Sequence, residues 1–212
     1  MKEKQRKWAA LAIAVGVIAV GLYVITDNGK PIDKIHYNRY VKVAKYDGLS
    51  YMQGEKKSEV AKNLLDLVIE ESRIKKWPDH LLKEEIERAD REEKDTAKSY
   101  DVDFDVYLDN FLGLTEKEYK KEIRDKAKTT LKDKLVVYAI ARKEKVELSE
   151  EEYQKRLDKM FKSTGLTEKE FEKFYGMPTK EYAEYYDLYS NILGDKVGEL
   201  IFSRATSVDG RK

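Results

Sequence analysis

The 212 residues contain no cysteine, three prolines, eleven glycines and two histidines. Without cysteine there are no disulfides, thiolate nucleophiles, zinc fingers or lipidation thiol. So few prolines and glycines argue against a β-sandwich or a disordered linker protein. His36 and His80 have no second histidine at ligand spacing, and no phosphate-cradling glycine loop, HExxH or GxSxG occurs. Carboxylate pairs such as Glu70/Glu71 and Glu84/Glu85 are too common in this composition to mark acid–base work. Charge of one sign is also missing: 42 Lys and Arg stand against 41 Asp and Glu, interleaved, for a net charge of +1. Nucleic acid requires a basic face, and none is expected as a partner. No catalytic residue, cofactor or metal site is therefore expected.

What is present begins with one long uncharged run. Residues 8–26, WAALAIAVGVIAVGLYVIT, follow MKEKQRK, with its four basic residues and one acidic. Nineteen helical residues match the hydrocarbon thickness of a bilayer. Trp8, Leu11, Ile13, Val17, Ile18, Leu22 and Tyr23 would contact lipid, the two aromatics lying near the interfaces. The expectation is a single-pass transmembrane helix with a cytoplasmic N-terminus and residues 27–212 outside the cytoplasm. The alternative is a cleaved signal and a secreted product, although the run is long for that role and no Ala-x-Ala site follows.

Beyond this anchor, residues 1–27, the sequence divides into an extended tether at 28–57, a helical domain at 58–202 and a frayed polar tail at 203–212. Val41 and Val43 alternate with polar neighbours, as in a short strand or extended tether. From Ser58 the period becomes helical: Val60, Leu64, Leu65, Val68 and Ile69 share a stripe on a helix that should end before KWPD, since the residue preceding Pro78 is pushed out of the α region. Leu81, Leu82, Ile86 and Ala89 mark a second helix after Pro78, whose polar continuation DREEKDTAKSY reads as a solvated face. Asp103 would cap a short helix ending near Gly113. Tyr119, Ile123, Ala127, Leu131 and Leu135 then follow at intervals of four on a long helix reaching about Lys145. A last helix is expected from about Thr179 to Phe202.

One phrase occurs twice, GLTEKEYKKE from Gly113 and GLTEKEFEKF from Gly165. Each is a helix stop at glycine followed by a Thr/Glu capping box, Thr115 with Glu118 and Thr167 with Glu170; Ser149 with Glu152 makes a third. The repetition is either convergence on good capping chemistry or internal duplication, and ten residues do not separate the two.

The remaining candidates are apolar. Tyr182, Tyr185, Tyr186 and Tyr189 fall at i, i+3, i+4 and i+7, with Phe174, Tyr175 and Met177 just before them and Met160 and Phe161 on the preceding helix. Such a stripe is either buried core or an exposed groove for varied apolar partners. Spacing does not distinguish these.

The order of motifs, VIEESRIKKWPDHLLKEEIE, DVDFDVYL, LTEKEYKKEIRDKAKTTLKDKLVVYAIARKEKVELSEEEYQKRLDKM and LTEKEFEKFYG, resembles the C-terminal, substrate-cradling domain of bacterial trigger factor over about residues 58–202. The run from Leu135 through Tyr153 is the most specific part. The resemblance implies a membrane-anchored form lacking the ribosome-binding and FKBP-type prolyl isomerase domains, with YVKVAKYDGL like the lead-in to the latter. The fold class expected is all-α: a transmembrane helix, a short extended tether and an irregular multi-helix domain. The function implied is a membrane-tethered extracytoplasmic chaperone that binds unfolded or nascent polypeptides without ATP. A prolyl isomerase by family association, and a structural adaptor for one envelope partner, are the alternatives.

Overall fold

The computed structural model describes residues 27–209. Its first segment is anchored from within. Ile35, Tyr37, Tyr40, Val41 and Tyr46 are all buried in the main core. Two single turns, Ile32–Lys34 and Tyr37–Arg39, lead into strand β1, Val41–Lys42, and after a bend into β2, Ser50–Met52. Helix α1, Lys57–Glu71, buries Val60, Ala61, Leu64, Leu65 and Val68. It stops at Ser72, whose hydroxyl bonds back to the Val68 carbonyl at 2.6 Å and accepts the Ala44 amide at 2.9 Å. Strand β3, Arg73–Ile74, then pairs antiparallel with β1, Val41 opposite Ile74.

Helix α2, Asp79–Ser99, and α4, Glu116–Glu144, lie antiparallel, as the pairs Lys134–Glu85 and Lys126–Glu93 require. Between them sits α3, Phe104–Tyr107, extended by a wider turn over Leu108–Leu112 and halted at Gly113 with φ 65°. Ala89, Leu108, Tyr119 and Ile123 make a small second core under this hairpin. Every member of the interval-of-four series on α4 is buried, Leu135 completely.

Three shorter helices follow: α5, Glu150–Ser163, α6, Glu168–Tyr175, and α7, Thr179–Tyr185. Helix α8, Leu188–Arg204, returns through the core antiparallel to α1. Gly194 and Gly198 let the two approach closely: a methyl on Gly198 would stand 2.9 Å from the Ala61 carbonyl oxygen. Strand β4, Thr206–Val208, follows and pairs parallel with β2, Ser50 opposite Thr206.

Several expectations are corrected. The domain is mostly helical but not all-α, since two two-stranded sheets are present. Residues 28–57 are no tether: their apolar side chains enter the core, and distant partners such as Ser72 satisfy their backbone. Residues 206–208 are paired rather than frayed. The first helix does end before KWPD, at Glu71, and Arg73–Ile74 beyond it are drawn into the sheet with β1. As for the transmembrane helix of the expected fold class, no helix among the described residues is long and apolar enough to cross a membrane. Residues 8–26, with Trp8, Leu11, Ile13, Val17, Ile18, Leu22 and Tyr23, lie outside the described residues, and the described residues offer a lipid bilayer no spanning helix.

The expected single helix from Thr179 to Phe202 is two. Asp187 takes φ 48°, ψ 51°, a left-handed conformation, and its carboxylate caps α8 by accepting the Ser190 amide at 3.3 Å and hydroxyl at 2.8 Å. Lys134 on α4 lies 2.5 Å from that carboxylate and 2.5 Å from Glu85 on α2. The break is thus held from two other helices.

Candidate functional site

Local chemistry fixes where the α5–α7 arm turns. Thr167 and Glu170 form a reciprocal capping box, with Glu170 N to Thr167 Oγ1 at 3.3 Å and Thr167 N to Glu170 Oε2 at 2.8 Å. Thr115 and Glu118 do the same on α4. At Ser149 only half the box forms, because the Glu152 carboxylate is taken by Lys196 and Arg156. Gly176, φ 75°, ends α6, and Glu168 reaches over to the Thr179 amide at 3.1 Å and hydroxyl at 2.8 Å, tying the start of α7 to that of α6. The two short helices form a stapled hairpin.

That hairpin carries a continuous row of rings. Phe171, buried, is its hub, with centroids 5.0 Å from Phe161, 4.3 Å from Tyr175 and 5.2 Å from Tyr182. Tyr182 leads to Tyr186 at 4.5 Å and Tyr186 to Tyr185 at 4.8 Å, while Phe174 stands 4.9 Å from Tyr175. The row has a packed underside, with Phe161, Phe171 and Tyr182, and an open side. Phe174 is 75% exposed, Tyr175 39% and Tyr186 38%. Tyr185 is pinned instead: its hydroxyl donates to Asp95 on α2 at 2.6 Å, and the Arg91 guanidinium lies over its ring at 5.1 Å. Burial, and after it the Asp95 carboxylate, pushes the Tyr185 hydroxyl up to about 12, so it stays a donor at neutral pH.

The structure therefore brings Phe161, Phe174, Tyr175, Tyr182, Tyr185 and Tyr186 together and separates Tyr189. Beyond the Asp187 break, Tyr189 packs edge-on to Tyr153 at 5.3 Å and reaches the Leu148 carbonyl at 3.4 Å. Met177 is half-buried at the α6–α7 turn. Met160, also half-buried, lines with Ile192 a charged groove of about 660 Å³ between α5 and α8.

Sequence reasoning missed a second exposed apolar group, on α2–α3. Tyr100 is 59% exposed, Phe111 54%, Val106 43% and Leu112 37%. Phe111 stacks on Tyr100 at 5.5 Å and on Tyr107 at 5.6 Å. The spacing Phe104, Tyr107, Phe111 was a readable signal: three rings on one stripe of a short helix exceed what its neighbours cover. This group meets α2 at Glu93 and Lys94, whereas the tyrosine row meets it at Arg91 and Asp95, another face of the same helix.

His36 Nδ1 lies 2.7 Å from Asp27, and His80 Nε2 lies 2.8 Å from the Lys30 carbonyl. Burial works to raise the Asp27 carboxyl, but hydrogen bonds from the His36 side chain and amide and from Lys30 outweigh it and bring it down to about 2. Among the described residues no three His, Cys, Asp or Glu side chains converge as metal ligands.

The family model described as "Bacterial trigger factor protein (TF) C-terminus" matches residues 50–203. Curated relatives include the trigger factor of an Exiguobacterium species, strain ATCC BAA-1283 / AT1b, 28% identical over 52% of this chain and 26% of its own. That of Acetivibrio thermocellus is 25% identical over 55% of this chain and 27% of its own, and that of Citrifermentans bemidjiense 32% identical over 44% and 21%. The chain thus spans about a quarter of the length of these relatives. A solved structure described as "Structures of and interactions between domains of trigger factor from Themotoga maritim" covers 77% of this chain and 92% of its own, at 17% identity and a TM-score of 0.39.

Proposed function

The chain belongs to the bacterial trigger factor C-terminus family, and on that premise we propose that it is a chaperone-like protein binding unfolded polypeptide segments without ATP. The observation that carries this reading is the row Phe174–Tyr175–Tyr182–Tyr186, whose underside is packed while its upper rings are open to solvent on a stapled hairpin. Exposed contiguous aromatics lower solubility without adding to the core, and patches of this kind mark binding surfaces. Tyrosine and phenylalanine rings present large apolar faces with few rotatable bonds, so varied side chains are met at modest entropic cost. The second exposed group around Tyr100 and Phe111 supplies another contact area, and weak sites joined on one client reinforce each other.

Binding to a permanently unfolded, fluorescently labelled protein tests the proposal. Replacing Phe174 and Tyr186 by serine is expected to weaken binding about tenfold, the range of one or two exposed aromatic anchors. Thermal stability should hold, because both rings are solvent-exposed. Undiminished binding in a folded double variant overturns the reading.

The site of action is proposed to lie outside the cytoplasm, on the support of the basic first residues and the uncharged run 8–26. Fractionation of cells with protease accessibility tests this, and recovery in the cytosol overturns it.

A further inference from the structure

The β2–β4 pair has an unusual setting. Parallel sheets are normally buried on both faces, yet here all of β4 is exposed and β2 carries only Tyr51 as a half-buried residue, on the Phe202 ring at 5.0 Å. The register fixes which way the backbone of β2 faces. Thr206 N donates to the Leu49 carbonyl at 2.9 Å, and Gln53 N donates to the Val208 carbonyl at 3.1 Å. Along a strand successive groups point to opposite sides, so Leu49, Tyr51 and Gln53 face β4. The amides of Ser50 and Met52 then point the other way. Among the described residues no strand lies on that side, since each sheet has two members only. Both residues are exposed, Met52 at 49% with Val208 beside it at 40%.

We infer that the outer edge of β2 is a second polypeptide-docking site, one that takes an extended segment by β-strand addition. The chemistry names the occupant. Two amides two residues apart with the Ser50 carbonyl between them match the donors and acceptors of another extended backbone, and no other common ligand repeats at that spacing. Met52 and Val208 offer adaptable apolar contacts to alternate side chains, so selection would be for β-forming sequence rather than for particular residues. Neither proline nor an inward charge interrupts Ser50–Met52. It lies at the opposite end of α8 from the Asp187 break where the aromatic arm joins. Seventeen residues separate the two, about 25 Å, which about eight extended residues span. The site stands on the backbone register and is independent of the aromatic arm.

The test uses the full chain and a labelled eight-residue peptide of alternating valine and threonine, which has no ring or charge to engage the arm. Its partner probe carries methyl groups on alternate backbone nitrogens. The unmodified peptide is expected to bind at least about tenfold more tightly than the methylated one. Met52→Pro removes one outward amide and leaves the bonds to β4 intact, since proline is tolerated on an edge strand whose N–H faces solvent. It should lower peptide binding to the level of the methylated probe without changing the thermal melt, whereas Met52→Thr, which keeps the amide, should retain binding. Phe174→Ser should leave it untouched. Equal affinity for the two probes, or full binding by a folded Met52→Pro protein, overturns the inference. So does a dimer in sedimentation that Met52→Pro dissolves, which would make a second copy the occupant.

Discussion

Tyr185 donates its hydroxyl to Asp95 at 2.6 Å across ninety residues of sequence, and with the Arg91 guanidinium over its ring it moors the aromatic arm to α2. Two substitutions separate these contacts. Tyr185→Phe removes the hydrogen bond and keeps the ring, and is expected to cost about 1 kcal/mol in urea unfolding. Tyr185→Ala also removes the stacking and should cost about 3 kcal/mol. Hydrogen bonds from Lys98 and then Tyr185 hold the Asp95 carboxyl below its ordinary range. A depressed folded-state value gives stability that is complete above the unfolded value near 4 and lost as pH falls through the folded one. The gap between wild type and Tyr185→Phe should therefore narrow in acid below pH 4, and only slightly, because Asp95 is partly solvated.

Asp133, on α4, behaves in the opposite sense. Burial, and after it the nearby Asp66 carboxylate, pushes its carboxyl up to about 6 against the pull of Lys132. Here the folded chain binds the proton more tightly than the unfolded one, so stability declines as pH rises from about 4 to 6 and the penalty is constant above that. Asp133→Asn is expected to raise stability by about 1 kcal/mol at pH 8, allowing for partial solvation. The advantage should shrink towards nothing at pH 4. Paired denaturant titrations at the two pH values check it.

Gly194 and Gly198 face α1 but differ in clearance. Added methyls would meet Val137 and Leu65 side chains at 3.8 and 3.9 Å from Gly194, and the Ala61 backbone oxygen at 2.9 Å from Gly198. Gly194→Ala should stabilise by about 0.5 to 1 kcal/mol, the usual gain inside a helix. Gly198→Ala should destabilise by about 2 kcal/mol, because backbone must move. Opposite shifts in melting temperature are the readout.

Lys134 neutralises Glu85 and Asp187 from a nearly enclosed position, with Arg88 also on Glu85. Lys134→Met leaves Asp187 without this cation and Glu85 with Arg88 alone, and is expected to cost about 3 kcal/mol. Adding Glu85→Gln should recover part of that loss. Because Asp187 holds the break between α7 and α8, the single variant should also expose the arm to limited proteolysis before the rest of the domain.

What could be read from the chain was what local chemistry decides. The Thr115 and Thr167 capping boxes and the Gly113 and Gly176 stops need only three or four neighbouring residues, and both formed as expected. The interval-of-four face of α4 is likewise a local period that a single core surface satisfies. The α7–α8 break was illegible because nothing near Asp187 breaks a helix; its conformation is stabilised by Lys134, which belongs to another helix. The same break divided the tyrosine stripe, sending Tyr189 to Tyr153 and leaving Tyr182, Tyr185 and Tyr186 on the arm. The segment from Asp27 to Lys56 hid its role because Ile35, Tyr37, Tyr40 and Tyr46 follow no period, and Ser72 and Glu144, which accept the Ala44 amide and the Tyr46 hydroxyl, are far away in sequence. Exposure, finally, is a tertiary property: Phe171 and Phe174 look alike in sequence, yet one is the hub of the arm and the other its most open ring.

The parallel pairing of Ser50–Met52 with Thr206–Val208 also sets an order of events. Strands more than 150 residues apart meet only after the intervening chain has found its place. On a ribosome, which releases the chain from its N-terminal end, β2 emerges long before β4 exists to cover its inner edge. For that interval the growing domain presents a strand unpaired on both sides, and the arrival of Thr206–Val208 covers one of the two.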